Sequence, residues 1–170
     1  MLRLESPVKE IPQQRNEENS QSVSSFSTNF LEPNHRTTVD TLDRMSRRLM
    51  DLLNTRAFDD LWIKQHLSPS VRQKVDYPIE AKNLESPLDT HRWICEKHPS
   101  YRVEIISVDV SLNRHLNRGH VWLTNCTTGD PENEVRECTL CLTWVKTGSH
   151  DETKWMLTKV VGLRGLENFT

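Results

Sequence analysis

A carboxylate and two imidazoles in this chain stand where they could move a proton. Asp76 ends a predicted strand, beside Tyr77 and before Pro78. A buried carboxylate has its pKa drawn towards neutrality and can then act as a base that enolises a carbonyl compound. Side chains alternate along a strand, so Asp76 and Tyr77 point oppositely and only one of them faces a given cavity. His91 and His98 lie about two turns apart on one side of a predicted helix. Either could shuttle a proton near pH 7. Plainer readings stand beside these. An Asp before a proline turn suits a surface position, and a His at a helix C-terminus suits the helix dipole.

Other residue types suggest binding rather than proton transfer. Trp62, Trp93, Trp144 and Trp155 could wall an aromatic ligand, although aromatics of small folds mostly fill core. Arg136 is the one firm charge on an otherwise apolar strand face and could hold a carboxylate or phenolate at a pocket mouth. Cys138-Thr-Leu-Cys141 matches C-x-x-C, but it lies in a predicted strand. A spacing of three sends the two sulfurs to opposite faces, which argues against a disulfide or a shared metal. No nucleophile elbow or zinc signature is present, and with 5 Gly a nucleotide cradle is unexpected. We therefore expect neither cofactor nor metal.

The elements that must position these groups can be read from the pattern. Thr37 with Asp40 resembles a capping box, and Leu42, Met45, Leu49, Leu52 and Leu53 follow at helical spacing. A second short helix is predicted over 57–66, ended by Ser68-Pro69. Val71, Gln73, Val75 and Tyr77 alternate as a first strand. Ser86-Pro87 starts a third helix, Ser as cap and Pro in the first turn, which runs to His98 before Pro99.

Four consecutive strands follow from Tyr101 to Leu163. In the first, Tyr101, Val103 and Ile105 alternate with polar residues; then Ile106, Val108, Val110 and Leu112 take over. Such a phase slip predicts a bulge, which lets a long strand bend round a cavity. Pairing Val121 with Leu140, Leu123 with Cys138, Trp144 with Trp155 and Leu142 with Leu157 collects these residues on one face, to be covered by helices. The opposite face collects His120, Trp122, Thr124, Glu137, Thr139, Cys141, Thr143, Met156 and Thr158. An exposed Trp122 there predicts a homodimer through the sheet.

The chain has 170 residues and a net charge of −2, so no broad basic field draws it to nucleic acid. No apolar run is long enough to span a bilayer. Residues 1–36 are rich in Ser, Asn, Gln, Glu and Pro and read as a disordered tail, followed by one domain over 37–166 and a short tail over 167–170. The N-terminus lacks the apolar core of a secretory signal, and its acidic residues do not suit a mitochondrial presequence. A cytoplasmic protein with free thiols is the resulting expectation.

The order of these elements resembles the nuclear transport factor 2-like superfamily, in its SnoaL-like branch. The resemblance is carried by Phe58-Asp59-Asp60-Leu61 with Leu67-Ser68-Pro69, by Asp76-Tyr77-Pro78, and by Pro99-Ser100-Tyr101-Arg102-Val103-Glu104-Ile105. Gly119-His120-Val121-Trp122, Arg136-Glu137, Trp144, Lys154-Trp155 and Arg164-Gly165 complete it, over about Val39 to Leu166. It implies an α+β cone: a curved antiparallel sheet of four to six strands on two or three helices, with a pocket between the layers. It also implies frequent homodimers. Enzymes of the superfamily include scytalone dehydratase, ketosteroid isomerase, limonene epoxide hydrolase and polyketide cyclases, while other members bind without catalysis.

Two functions are therefore carried forward. One is a non-catalytic domain that binds an apolar or aromatic small molecule through Trp62, Tyr77, His98, Arg136, Trp144 and Trp155. The other is a cofactor-independent lyase, isomerase or cyclase acting on a ketone- or polyketide-like substrate through Asp76 and His91. The sequence shows no compelling cluster of convergent polar groups, and this favours the binding domain.

Overall fold

The computed structural model describes residues 33–75, 86–129, 134–149 and 152–164. Residues 1–32 of the tail expected over 1–36, the C-terminal tail, Asp76 and Tyr77 lie outside the described residues, while 33–36 belong to a helix. The elements run α1 (Pro33–Asn54), α2 (Leu61–His66), β1 (Leu67–Val75), α3 (Pro87–Lys97), β2 (Arg102–Leu112), β3 (Arg118–Thr128), β4 (Val135–Thr147) and β5 (Lys154–Arg164). The strands form one sheet in the order β1-β5-β4-β3-β2. The sheet is antiparallel from β2 to β5, and β1 joins its far edge parallel to β5. Helix α1 lies against β2 and β3, α2 against β5 and β1, and α3 against β1. None of the described helices is long and apolar enough to cross a membrane.

Helix α3 follows its sequence signals closely. The Ser86 side chain accepts from the Leu88 N–H at 3.1 Å, Pro87 opens the helix, and His98 caps its C-terminus. Helix α1 instead starts at Pro33, ahead of the expected Thr37 cap. Proline at the first helical position forfeits no hydrogen bond, and Thr37 lies inside the helix, its carbonyl accepting from Thr41 Oγ at 2.8 Å. Its C-terminus closes with the Ala57 N–H on the Leu52 carbonyl at 2.9 Å and the Arg56 N–H on the Leu53 carbonyl at 3.1 Å. That pattern needs a left-handed residue, and Arg56 takes the position at φ 59° where glycine is usual.

Helix α2 is shorter than the expected 57–66. The chain first turns from Ala57 to Asp60, and the Asp60 carboxylate caps the helix by accepting from the Trp62 N–H at 2.7 Å. Ser68-Pro69 belongs to β1 rather than ending the helix. An edge strand tolerates the proline because its missing N–H faces no neighbour.

The bulge expected in β2 is present. Ile105 pairs with Asn125 and Ser107 with Thr124, leaving Ile106 as the extra residue. The other expected pairings are displaced. Val121 lies opposite Leu142, Leu123 opposite Leu140, and Trp144 opposite Leu157. Each of these shifts is by two residues, which leaves every side chain on its expected face. A second irregularity falls where Thr143 pairs with Lys159 and Trp144 with Leu157, skipping Thr158. It sets Leu142 opposite Val160 instead of Leu157, and so brings Val160 and Gly162 to the inner face.

The core is the seam between α1 and that face. Leu42, Val121, Leu123 and Trp144 are fully buried. The Trp144 Nε1–H donates to Ser46 Oγ at 3.1 Å, and Ser46 is fully buried too. A Cβ on Gly119 would lie 2.3 Å from Leu42 Cδ1, so glycine there lets α1 approach the sheet. On the outer face Trp122 is 47% exposed.

Asn54, the last residue of α1, fastens the helix to the edge strand. Its Nδ2 donates to the Val103 carbonyl at 2.7 Å, and its Oδ1 accepts from the Val103 N–H at 2.9 Å. Val103 is buried, so losing this partner strands two backbone groups. Asn54→Ala is expected to lower unfolding free energy by about 2–3 kcal/mol, measured by urea denaturation. Asn54→Asp, which keeps only the acceptor, is expected to fall between the two.

Candidate functional site

A cavity of about 100 Å³ lies between the helices and the inner sheet face. Most of its wall is apolar: Leu49, Met50 and Leu53 of α1, Ile63 of α2, Leu88 of α3, and Leu140, Leu142, Leu157 and Val160 of the sheet. The polar lining groups are His91, Tyr101, Asn125, Thr127, Arg136 and Cys138. Alternation explains the sheet members. Asn125 and Thr127 continue the inward series of Val121 and Leu123, and they face Cys138 and Arg136 across the β3–β4 ladder.

His91 is held by α3 in an aromatic surround. Its ring meets Tyr101 edge-on at 5.4 Å and Phe58 at 6.2 Å between centroids. It is buried, and its Nε2 has no hydrogen-bond partner among the described residues. Burial, with the Arg56 guanidinium adding to it, lowers its pKa from 6.5 to about 4. The imidazole is therefore neutral at pH 7. Arg56 is itself fixed by a hydrogen bond to the Pro99 carbonyl, so the turn that ends α1 also tunes the histidine on α3.

Asn125 is completely buried on β3, between Ile105 of β2 and Cys138 of β4. Its Nδ2 donates a long bond of 3.4 Å to the Cys138 carbonyl. That bond fixes the amide's orientation, since only the NH₂ can donate. Its Oδ1 has no partner among the described residues. Thr127 Oγ1 donates to the Arg136 carbonyl at 3.3 Å. The Arg136 guanidinium gives two hydrogen bonds, of 3.0 and 2.8 Å, to one oxygen of Glu134.

The residues singled out in the sequence divide. His91 and Arg136 line the cavity. Trp144 and Trp155 are buried in the core, Trp144 spending its N–H on Ser46. Trp62 packs at a tilt against His66, 4.7 Å between centroids, with Arg48 over its ring at 5.0 Å, and it does not line the cavity. His98 caps α3, its N–H donating to the Ile94 carbonyl at 2.8 Å, and it too is outside the lining. None of Trp62, Trp93, Trp144 and Trp155 lines the cavity, whose aromatic members are Tyr101 and His91; Trp144 is taken up instead in joining α1 to the sheet.

Asn125 escaped notice in the sequence. A polar residue at an inward position of a strand otherwise reading Val121-x-Leu123 was the available signal. Cys138 and Cys141 are free and split between the faces as alternation requires; Cys138 lines the cavity and Cys141 is buried on the other side. Burial pushes the Cys95 and Cys141 thiols up, away from reactive thiolate. Among the described residues no cluster of His, Cys, Asp or Glu could hold a metal ion.

Comparison with known proteins bears on this architecture. No protein-family model and no curated protein matches the chain. Solved structures do. An uncharacterised protein with a cystatin-like fold from Caulobacter vibrioides superposes with a TM-score of 0.59 at 11% identity, over 75% of this chain and 89% of that one. A nuclear transport factor 2-like protein of unknown function in nutrient uptake, from Rhodospirillum rubrum, gives 0.54 at 13% identity, over 74% of this chain and 98% of that one. The fold is thus that of the nuclear transport factor 2-like proteins: an α+β unit whose curved sheet is closed on one side by helices.

The depressed pKa of His91 has a sign that can be tested. Unfolding frees the imidazole to bind a proton below pH 6.5, whereas the folded protein resists until about 4. Stability is therefore fully present above pH 6.5 and is lost as pH falls towards 4, by about 3 kcal/mol from this residue. Denaturant unfolding between pH 7.5 and 4 should show that loss in the wild type. In His91→Phe, which keeps an aromatic ring there, the acid-side slope should be shallower by about this amount.

Proposed function

We propose that this domain binds a small, largely apolar molecule in the cavity beneath its helices, without transforming it. The observation that carries the reading is the cavity, apolar over most of its wall and about 100 Å³ in volume. Folded interiors hold few voids larger than a water molecule, so an apolar space of this size is the natural place for a ligand. The few polar groups in the wall would orient the occupant, as they do in ligand sites generally. The SnoaL-like resemblance of the sequence supports a pocket between the layers, and it covers enzymes and binders alike.

The competing reading is a cofactor-independent lyase, isomerase or cyclase that uses His91 and Asp76. The neutral, buried His91 lining the cavity is the feature in its favour. An imidazole whose pKa is held near 4 accepts a proton poorly at pH 7, so its place in the wall suits hydrogen bonding better than general-base work.

Thermal unfolding with a panel of single-ring alcohols, ketones and phenols is the direct test. A ligand at a hundredfold excess over Kd is expected to add about 2.7 kcal/mol of stability. Val160→Phe, which fills the cavity from β5, should abolish the shift. The reading fails if no compound shifts the wild type, or if Val160→Phe responds equally. Consumption of any stabilising ketone, followed by proton exchange in deuterated buffer, would favour the enzyme instead.

The outer sheet face supplies a second proposal, a homodimer centred on the exposed Trp122. Burying such a residue is the usual fate of a large aromatic on a sheet. Light scattering at micromolar concentration should give twice the chain mass for wild type and a single chain for Trp122→Lys. A wild-type monomer would remove the proposal.

A further inference from the structure

Resting on the cavity-binding reading, we infer that the occupant is a neutral molecule of single-ring size carrying a hydroxyl or N–H donor, and that Asn125 Oδ1 receives it. The side chain is fully buried and lines the cavity. Its carbonyl oxygen lacks a partner among the described residues. A buried acceptor left empty is costly, and buried amides in folded proteins are nearly always satisfied. The neighbouring strand satisfies only the amide's NH₂ end, through the Cys138 carbonyl. The opposite end is an acceptor and calls for a donor from the cavity's contents.

The rest of the wall fixes the occupant's other properties. Apolar groups from both layers surround the space, so the body of the molecule is apolar. An engineered apolar cavity of roughly 150 Å³ holds benzene, and the space here is of that order. Negative charge is disfavoured on two counts. A carboxylate brings no donor and would set negative charge against Asn125 Oδ1. The cation in the lining, Arg136, already directs Nε and Nη2 at Glu134. His91, neutral and with its own Nε2 unpartnered among the described residues, offers a second neutral hydrogen-bonding position in the same wall.

Phenol and toluene are near-isosteres that differ in the donor, and benzoate adds the charge. In a cavity with no receptor for the hydroxyl, toluene binds more tightly, because burying an unpaired hydroxyl is unfavourable. A preference for phenol is therefore diagnostic. Calorimetric or NMR titration of the full chain at pH 7 should find phenol at least about tenfold tighter than toluene, with benzoate weaker than phenol. In Asn125→Leu, which keeps the shape and removes the acceptor, the order should reverse to favour toluene.

Toluene tighter than phenol in the wild type, or an unchanged ratio in Asn125→Leu, would overturn the assignment to Asn125 while leaving the cavity reading intact. Benzoate tighter than both would overturn the neutral occupant and turn attention to Arg136. Failure of all three probes to bind either protein would count against the cavity reading itself and the inference with it. Should Asn125→Leu not fold, the wild-type side-chain amide resonance of Asn125 decides. It should move on titration with phenol and stay with toluene, and equal movement with both refutes the inference.

Discussion

The distance at which α1 rides over the sheet is the constraint on which the rest of this structure depends. Three contacts set it along the helix. Near its middle Leu42 presses against Gly119, where any side chain would collide. One turn on, Ser46 takes the indole N–H of Trp144 in a fully buried bond. At the end Asn54 grips both backbone groups of Val103. The first two hold helix and sheet close enough to exclude water. The third ties the helix end to the edge strand, beside the cavity lined by Leu49, Met50, Leu53 and Val103.

Packing at one end and a void at the other follow from the same sheet. The irregularities at Ile106 and Thr158 let long strands bend while keeping apolar residues inward. Large side chains fill the region under Leu42 and Ser46, where Trp144 sits. Further along β3 and β4 the inward residues become Asn125, Thr127, Cys138 and Arg136, which are polar or small and do not fill the space. The boundary between core and cavity is thus written in the inward series of two adjacent strands.

The electrostatics of the site depend on connections distant in sequence. Arg56 stands at the left-handed position that ends α1 and reaches the carbonyl of Pro99. From there it raises the cost of protonating His91 on α3, already high from burial. A cavity with a neutral histidine and an amide oxygen that no described residue satisfies is equipped to orient a molecule through hydrogen bonds. The fold itself hosts enzymes and binders alike, so the functional reading must come from these side chains.

Much of the architecture was legible from local pattern alone, because it depends on local physics. Ser86-Pro87 announced α3, since a capping oxygen and a missing N–H act within one turn. The phase slip at Ile105-Ile106 announced a bulge, since side chains alternate strictly along a strand. Face membership also survived two-residue errors in strand register, as the period of two requires. The start of α1 and the extent of α2 were not legible, because Thr37 and Ser68-Pro69 give signals that helix and strand can absorb. Within the site, His91 and Arg136 were found by type, whereas Trp62, Trp144, Trp155 and His98 were not told apart from lining residues. Only the tertiary structure decides which apolar positions meet α1 and which line the cavity, and only it reveals that the oxygen of Asn125 has no partner among the described residues. Hydrogen-bond satisfaction is a property of what surrounds an atom, and sequence determines that only once the chain has folded.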